Sequence, residues 1–123
     1  RAARVVAVEM EELSDPDLVA ALAAARGRGC AVSVVLPGSG ASAATDAAAR
    51  ALASAGVAVR YVDAPQVHAK AVVADGWLYV GSANLTTASL DANREVGLAL
   101  TDPAAVRLVA GTIAGDLARG RAP

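Results

Sequence analysis

The stretch HAKAVVADGWLYVGSAN, His68 to Asn84, holds the only histidine of the chain together with a lysine and several small polar groups. Apolar Ala71 to Ala74 and apolar Trp77 to Val80 flank Asp75-Gly76, and two apolar runs about an Asp-Gly dipeptide predict a β-hairpin. His68 and Lys70, two residues apart on a strand, point the same way with roughly 7 Å between their Cα atoms, a spacing that brackets a phosphate. Two registers are open. With a three-residue loop from Asp75 to Trp77, Lys70 lies opposite Ser82 and His68 opposite Asn84, and all four share a face. With a two-residue loop, the register moves by one and Ser82 and Asn84 turn to the other face.

Upstream, Val5 to Val8, Cys30 to Leu36 and Val57 to Val62 are continuous apolar runs of the kind expected for strands covered on both faces. Between the first two, Ser14 with Asp17 forms a capping box and Pro16 suits a first turn. Leu18, Leu22 and Ala25 recur at helical spacing until Gly27 and Gly29 end a helix of about ten residues. Between the second and third, Thr45-Asp46 can cap an alanine-rich helix running to Ala55, with Gly56 ending it. Strand, helix, strand, helix, strand predicts three parallel neighbours in one buried sheet, joined by right-handed crossovers. Downstream, Thr86 to Asn93 reads as loop with at most a short helix, and Val96 to Leu100 as the last strand. Asp102-Pro103 starts a final helix with Val106, Val109, Ile113 and Leu117 on one side, weakened by Gly111 and Gly115. Ala118 to Pro123 reads as a frayed tail. The fold class is α/β: a layered, mostly parallel but mixed sheet flanked by helices.

The 123 residues make a single domain able to bury a core. Hydrophobic residues reach 55% but aromatics only 2%, with no Phe, so that core must be packed from Ala, Val and Leu. A net charge of -1 gives no global attraction to a phosphate polymer. Arg26, Arg28, Arg50, Arg60 and Arg94 are scattered, with little aromatic interleaving, and read as solvated surface. Cys30 has no second cysteine to pair with and reads as a buried thiol. One His and one Cys cannot supply a zinc site. Gly81-Ser82-Ala83-Asn84 is not the G-x-S-x-G elbow of a serine hydrolase, and Pro37-Gly38-Ser39-Gly40 lacks the lysine of a phosphate-binding loop. No apolar run approaches the roughly eighteen residues that span a bilayer.

The side chains gathered from His68 to Asn84 are of types that can serve phosphoryl chemistry. A neutral imidazole is a nucleophile, so His68 can attack phosphorus; Lys70 supplies charge to nonbridging oxygens, and Ser82 and Asn84 supply directional hydrogen bonds. The pattern H-x-K-x4-D followed by G-S-x-N resembles the HKD signature of the phospholipase D superfamily, and Asn93-Arg94-Glu95-Val96-Gly97 is similar to the N-x-E segment that follows it. Leu13 to Leu22, Arg28 to Val32 and Ala55 to Val57 fit the strand and helix order of that superfamily, so the likeness covers nearly the whole chain. The spacing departs by one residue, five from Gly76 to Val80 instead of the usual six.

The resemblance implies a phosphohistidine intermediate on His68, with Lys70, Ser82 and Asn84 holding the phosphate, Asp75 completing the motif at the turn, and Glu95 orienting an imidazole. It implies a metal-independent enzyme without a cofactor. Phospholipid is the leading substrate class, as in cardiolipin synthase-like members of lipid metabolism. The alternatives are a DNA endonuclease acting as a homodimer and a catalytically degenerate interaction domain. Double displacement also needs a second acid and base, for which the chain has no second histidine. The chain is therefore expected to be one half, the C-terminal half, of a two-motif protein, or one subunit of a homodimer, with a second HKD motif facing His68.

Overall fold

The computed structural model describes residues 4–123. Three apolar runs form β1 (Val5–Met10), β2 (Ala31–Pro37) and β3 (Ala58–Val62), and they pair in parallel as expected, with Val8 beside Val34 and Val34 beside Val59. The motif hairpin supplies β4 (Lys70–Ala74) and β5 (Trp77–Gly81), and β6 (Gly97–Leu100) follows. The six strands form one mixed sheet in the order β3-β2-β1-β4-β5-β6. Strand β1 is the seam: it runs parallel to β2 on one side and antiparallel to β4 on the other, and the β4–β5 and β5–β6 pairings are antiparallel too.

Both faces of the sheet are covered. Helices α1 (Pro16–Gly27) and α2 (Ala43–Ser54) lie over Val8, Met10, Val34, Leu36 and Val59, with Leu52 at the centre of that layer. Helix α3 (Pro103–Arg119) covers Val35, Val62, Val73 and Leu78 with Val106 and Ile113. This double cover is why β1 to β3 read as unbroken apolar runs. Gly111 and Gly115 do not interrupt α3, and apart from the helix's own backbone nothing lies within 4 Å of where a Cβ would stand on either.

Local chemistry differs from the sequence reading at three places. Asp15, not Ser14, caps α1, its carboxylate accepting from the N–H groups of Asp17 and Leu18, because Pro16 occupies the first helical position. Ser42, not Thr45, caps α2 and accepts from Thr45 N–H, while the fully buried Thr45 hydroxyl instead accepts from Leu13 N–H. The C-terminal segment is not frayed. Arg121 exchanges two backbone hydrogen bonds with Tyr61 of β3, its guanidinium lies over the Tyr61 ring, and it pairs with Asp63 at 2.9 Å.

Under α3 one carboxyl departs from ordinary behaviour. Glu9 is buried on β1, and burial, together with a hydrogen bond to Asp116, pushes its pKa up to about 7. Burial pushes the Asp116 carboxyl upward as well, but hydrogen bonds from Glu9 and Arg119 hold it below its usual range. A raised carboxyl pKa means that the folded state binds a proton which the unfolded chain releases. The stabilisation from Glu9 is thus full below its ordinary value of 4.5 and is lost as pH rises towards 7. Replacing Glu9 with Gln keeps a donor to Asp116 and removes the titration. Thermal unfolding should show the Glu9→Gln protein gaining on wild type between pH 5 and pH 8; a constant difference between the two proteins across that range would contradict the assignment.

Candidate active site

The motif sits where β1 ends and β4 begins, with Met10 paired to Lys70. Antiparallel partners share a face, so Lys70 emerges beside Met10 at the margin of the α1 layer. The hairpin takes the two-residue loop: Ala74 faces Trp77 and Ala71 faces Val80. Asp75 adopts φ 51°, a left-handed conformation that Asp tolerates better than most residues, and its carboxylate accepts from the N–H groups of Arg4 and Val5. Asp75 thus ties the start of β1 to the turn, five strand positions from Lys70 or about 17 Å away, and the structure does not bring it to the cluster.

Asn84 does reach the cluster, although the two-residue loop was expected to turn it away. Strand β5 stops at Gly81, so strict alternation no longer governs the residues that follow. Asn84 Oδ1 accepts from Glu12 N–H at 3.1 Å, which aims its amide nitrogen at Glu11 Oε2, 3.4 Å away. Ser82 goes elsewhere. Its hydroxyl donates to Glu95 and accepts from Val96 N–H at 3.0 Å, so Ser82 and Glu95 form a pair of their own at the start of β6. Gly81 is needed beside them because the Tyr79 ring lies across Gly81 and Gly97, and a Cβ at either would run into it.

The residue at the centre of the cluster is Glu11, which the motif pattern does not contain. Its Oε2 accepts from Lys70 Nζ at 2.7 Å, and its Oε1 lies 3.4 Å from His68 Nε2. Lys70 also donates to the His68 carbonyl at 3.1 Å, and its Nζ lies 3.5 Å from His68 Nδ1. The Lys70 hydrogen bond, chiefly, holds the Glu11 carboxyl below its usual pKa against a smaller opposing push from burial. The His68 side chain is 75% exposed and that of Lys70 only 10% exposed, so the cation is fixed while the imidazole stands open to an incoming group.

Glu11 is placed by its backbone. From Glu11 to Asp15, each N–H finds an acceptor distant in sequence: Ala69 O, Asn84 Oδ1, Thr45 Oγ1 and, for both Ser14 and Asp15, Leu85 O. Leu85 N–H returns a bond to Glu12 O at 3.1 Å, and Thr87 donates to the Asp15 cap at 3.0 Å. The segment after β5, including a π-helical turn at Ala88–Ala92, is thereby bound to the loop after β1. No short-range sequence signal marks this. A β1–β4 pairing known beforehand would have put Met10 beside Lys70, and strand alternation would then have turned Glu11 away; it reaches Lys70 because β1 ends at Met10.

An apolar groove of about 330 Å³ opens beside the cluster, lined by Leu18, Val72, Trp77, Tyr79, Leu85 and Leu90. Val72 follows Lys70 on the same strand face, and Leu85 follows Asn84 in the chain. A larger hollow of about 570 Å³ lies at the far end of β1 and β2 near Val5, Cys30 and Ala31, away from the motif.

A hairpin led by His68 and Lys70 on the seam of a mixed, doubly covered sheet is the arrangement of a phosphodiesterase domain of the phospholipase D superfamily. Over residues 1–116 the chain matches the family model described as cardiolipin synthase, PLD-like domain, and it belongs to that family. Among solved structures it is similar to Nuc from Salmonella typhimurium, a phospholipase D family member, with 26% identity and a TM-score of 0.89 over 98% of this chain and 82% of that one. It is also similar in fold to NucT from Helicobacter pylori, with 16% identity and a TM-score of 0.79 over 98% and 84% of the two chains. The archaeal chromatin protein TrmBL2 shares the fold at 14% identity and a TM-score of 0.71, over 98% of this chain and 46% of that one. No curated protein sequence matches the chain.

Removing the ammonium group should release the Glu11 carboxyl. In Lys70→Ala, carbon-detected NMR titration should show the Glu11 pKa moving upward, because the hydrogen bond that lowers it most is gone. An unmoved Glu11 would mean that Lys70 is not its partner in solution.

Proposed function

We propose that this domain cleaves a phosphodiester in two displacements, with His68 as the nucleophile. The observation that carries this reading is the convergence of His68, Lys70 and Asn84 on one anionic group, the Glu11 carboxylate. A phosphate placed there would meet an imidazole nitrogen, an ammonium and an amide donor. In the first step the imidazole nitrogen bonds to phosphorus as the bond to the leaving alcohol oxygen breaks, and that oxygen takes a proton from an acid. In the second, water or an acceptor alcohol gives its proton to the resulting base and attacks phosphorus, and the nitrogen–phosphorus bond breaks. Lys70 and Asn84 hold the nonbridging oxygens as charge shifts onto them, and Ser82 joins them only when its hydroxyl turns from Glu95 towards the phosphate. Asp75 keeps its structural place at the turn.

The acid and base come from outside this motif, since the chain has one histidine. A second HKD motif, in another domain of a two-motif protein or in a homodimer mate, supplies the second imidazole. Glu95, engaged with Ser82 and not with His68, is the carboxylate that orients that facing imidazole. The leading substrate is a phosphatidyl lipid, supported by the apolar groove beside the cradle, and the reaction is hydrolysis or phosphatidyl transfer. A nucleic-acid backbone is the second reading. It is favoured by the open setting of His68, whose exposed side chain leaves room for a polymer to pass.

His68→Ala should abolish turnover. Lys70→Ala and Asn84→Ala should each raise the barrier by roughly 2 to 4 kcal/mol. Full-length protein would be assayed in chelator on phosphatidyl lipids and on single-stranded and duplex DNA, with acid-quenched samples examined for label on His68. Turnover of DNA alone would move the assignment to a nuclease. Normal turnover by His68→Ala would end the mechanism, and absence of both label and turnover would leave an interaction domain.

A further inference from the structure

We propose that Glu11 sets the charge selectivity of the site, admitting singly charged phosphodiesters and disfavouring doubly charged phosphomonoesters. This rests on reading the Lys70–Asn84 cradle as the phosphate position. The cation there is already engaged: Lys70 Nζ donates to Glu11 Oε2 at 2.7 Å and to the His68 carbonyl at 3.1 Å. The Asn84 amide points at the same carboxylate oxygen, 3.4 Å away. Among the described residues no other lysine or arginine pairs with Glu11. Lys70 and Glu11 therefore sum to zero charge before any substrate arrives, and an incoming phosphate must share its donors with a fixed anion.

The consequence follows from charge products. A phosphodiester carries one negative charge, whereas a phosphomonoester above its second pKa of about 6 carries nearly two. The attraction to Lys70 and the repulsion from Glu11 both scale with that charge, so the Glu11 penalty in free energy is about twice as large for the dianion. The loss of carboxylate hydrogen bonds on sharing Lys70 and Asn84 falls on both ligands alike and does not blunt the difference. Direction of reaction gives this a purpose. Hydrolysis of a diester yields an alcohol and a monoester, so the product bears the extra charge, and the group that tolerates the substrate expels the product. The lowered pKa of Glu11 keeps its charge in place at neutral pH.

The test is binding, not turnover. Dimethyl phosphate and methyl phosphate would be titrated into the full chain at about pH 8, where the monoester is a dianion, and followed through the amide signals of Lys70 and Asn84. In wild type the Lys70 and Glu11 contributions offset each other at either ligand charge, and the dianion loses more hydration on entry, so dimethyl phosphate should bind more tightly. Glu11→Gln, which keeps the shape and an acceptor for Lys70, should tighten methyl phosphate by the square of the factor for dimethyl phosphate, for example ~100-fold against ~10-fold. Glu11→Ala should show the same inequality, and Glu11→Asp should keep the wild-type order. Wild type preferring methyl phosphate overturns the proposal even if no variant folds, as does an equal change for both ligands in the neutral variants. Binding of neither ligand by any folded form would overturn the phosphate site itself.

Discussion

Five consecutive backbone N–H groups, Glu11 to Asp15, have no partner within their own segment, and each is met by an acceptor distant in sequence. Each such group left unpaired in a partly buried setting would cost about 1–3 kcal/mol. The loop after β1 is therefore held by Ala69, Asn84, Thr45 and Leu85 at once. Those four belong to the segment before β4, the segment after β5 and helix α2. The parallel and antiparallel parts of the sheet meet only along β1 and β4, and this loop is where the side chains of both parts reach a common point. Asn84 serves both purposes, its oxygen fixing the loop and its nitrogen facing the site.

That arrangement explains which parts were legible in the sequence. Unbroken valine-rich runs forecast β1, β2 and β3 and their parallel order, because a strand covered on both faces has no reason to alternate. The Asp-Gly turn forecast the hairpin, and the H-x-K and G-S-x-N spacings identified the superfamily. Glu11 was not legible as a site residue. In the sequence it is one of three acidic residues, Glu9, Glu11 and Glu12, close behind the first apolar run, and it meets Lys70 only because β1 ends at Met10, the partner of Lys70, which frees the next side chain from strand alternation. The parity argument for Asn84 failed for a related reason: alternation governs a strand only while the strand lasts, and β5 ends three residues before Asn84. The two misplaced helix caps reflect competition among adjacent hydroxyl and carboxylate groups, which a long-range partner, Leu13 N–H for Thr45, decides.

The apolar composition did not prevent charge from being placed with care. Glu9 and Glu11, two residues apart, meet opposite fates. Glu9 is enclosed beneath α3 with a second carboxyl and leans towards its neutral form, whereas Glu11 at the strand end meets an ammonium and is held ionised. The difference is one of surroundings, because the two side chains are chemically identical.

The exchange of hydrogen bonds between Tyr61 and Arg121 bears on more than the tail. Strand β3 is one border of the sheet, and Arg121 occupies the backbone groups of Tyr61 there, with its guanidinium laid over the ring. Strand β6, the other border, has no such cover among the described residues, and Leu98 on it is exposed. An uncovered border is a template for another strand, while a covered one ends the ladder. The sheet is thus one-sided in its capacity to extend. Two copies joined border to border along β6 would use up both templates and leave nothing for a third, so edge pairing in this molecule would close on itself instead of running on into a fibre.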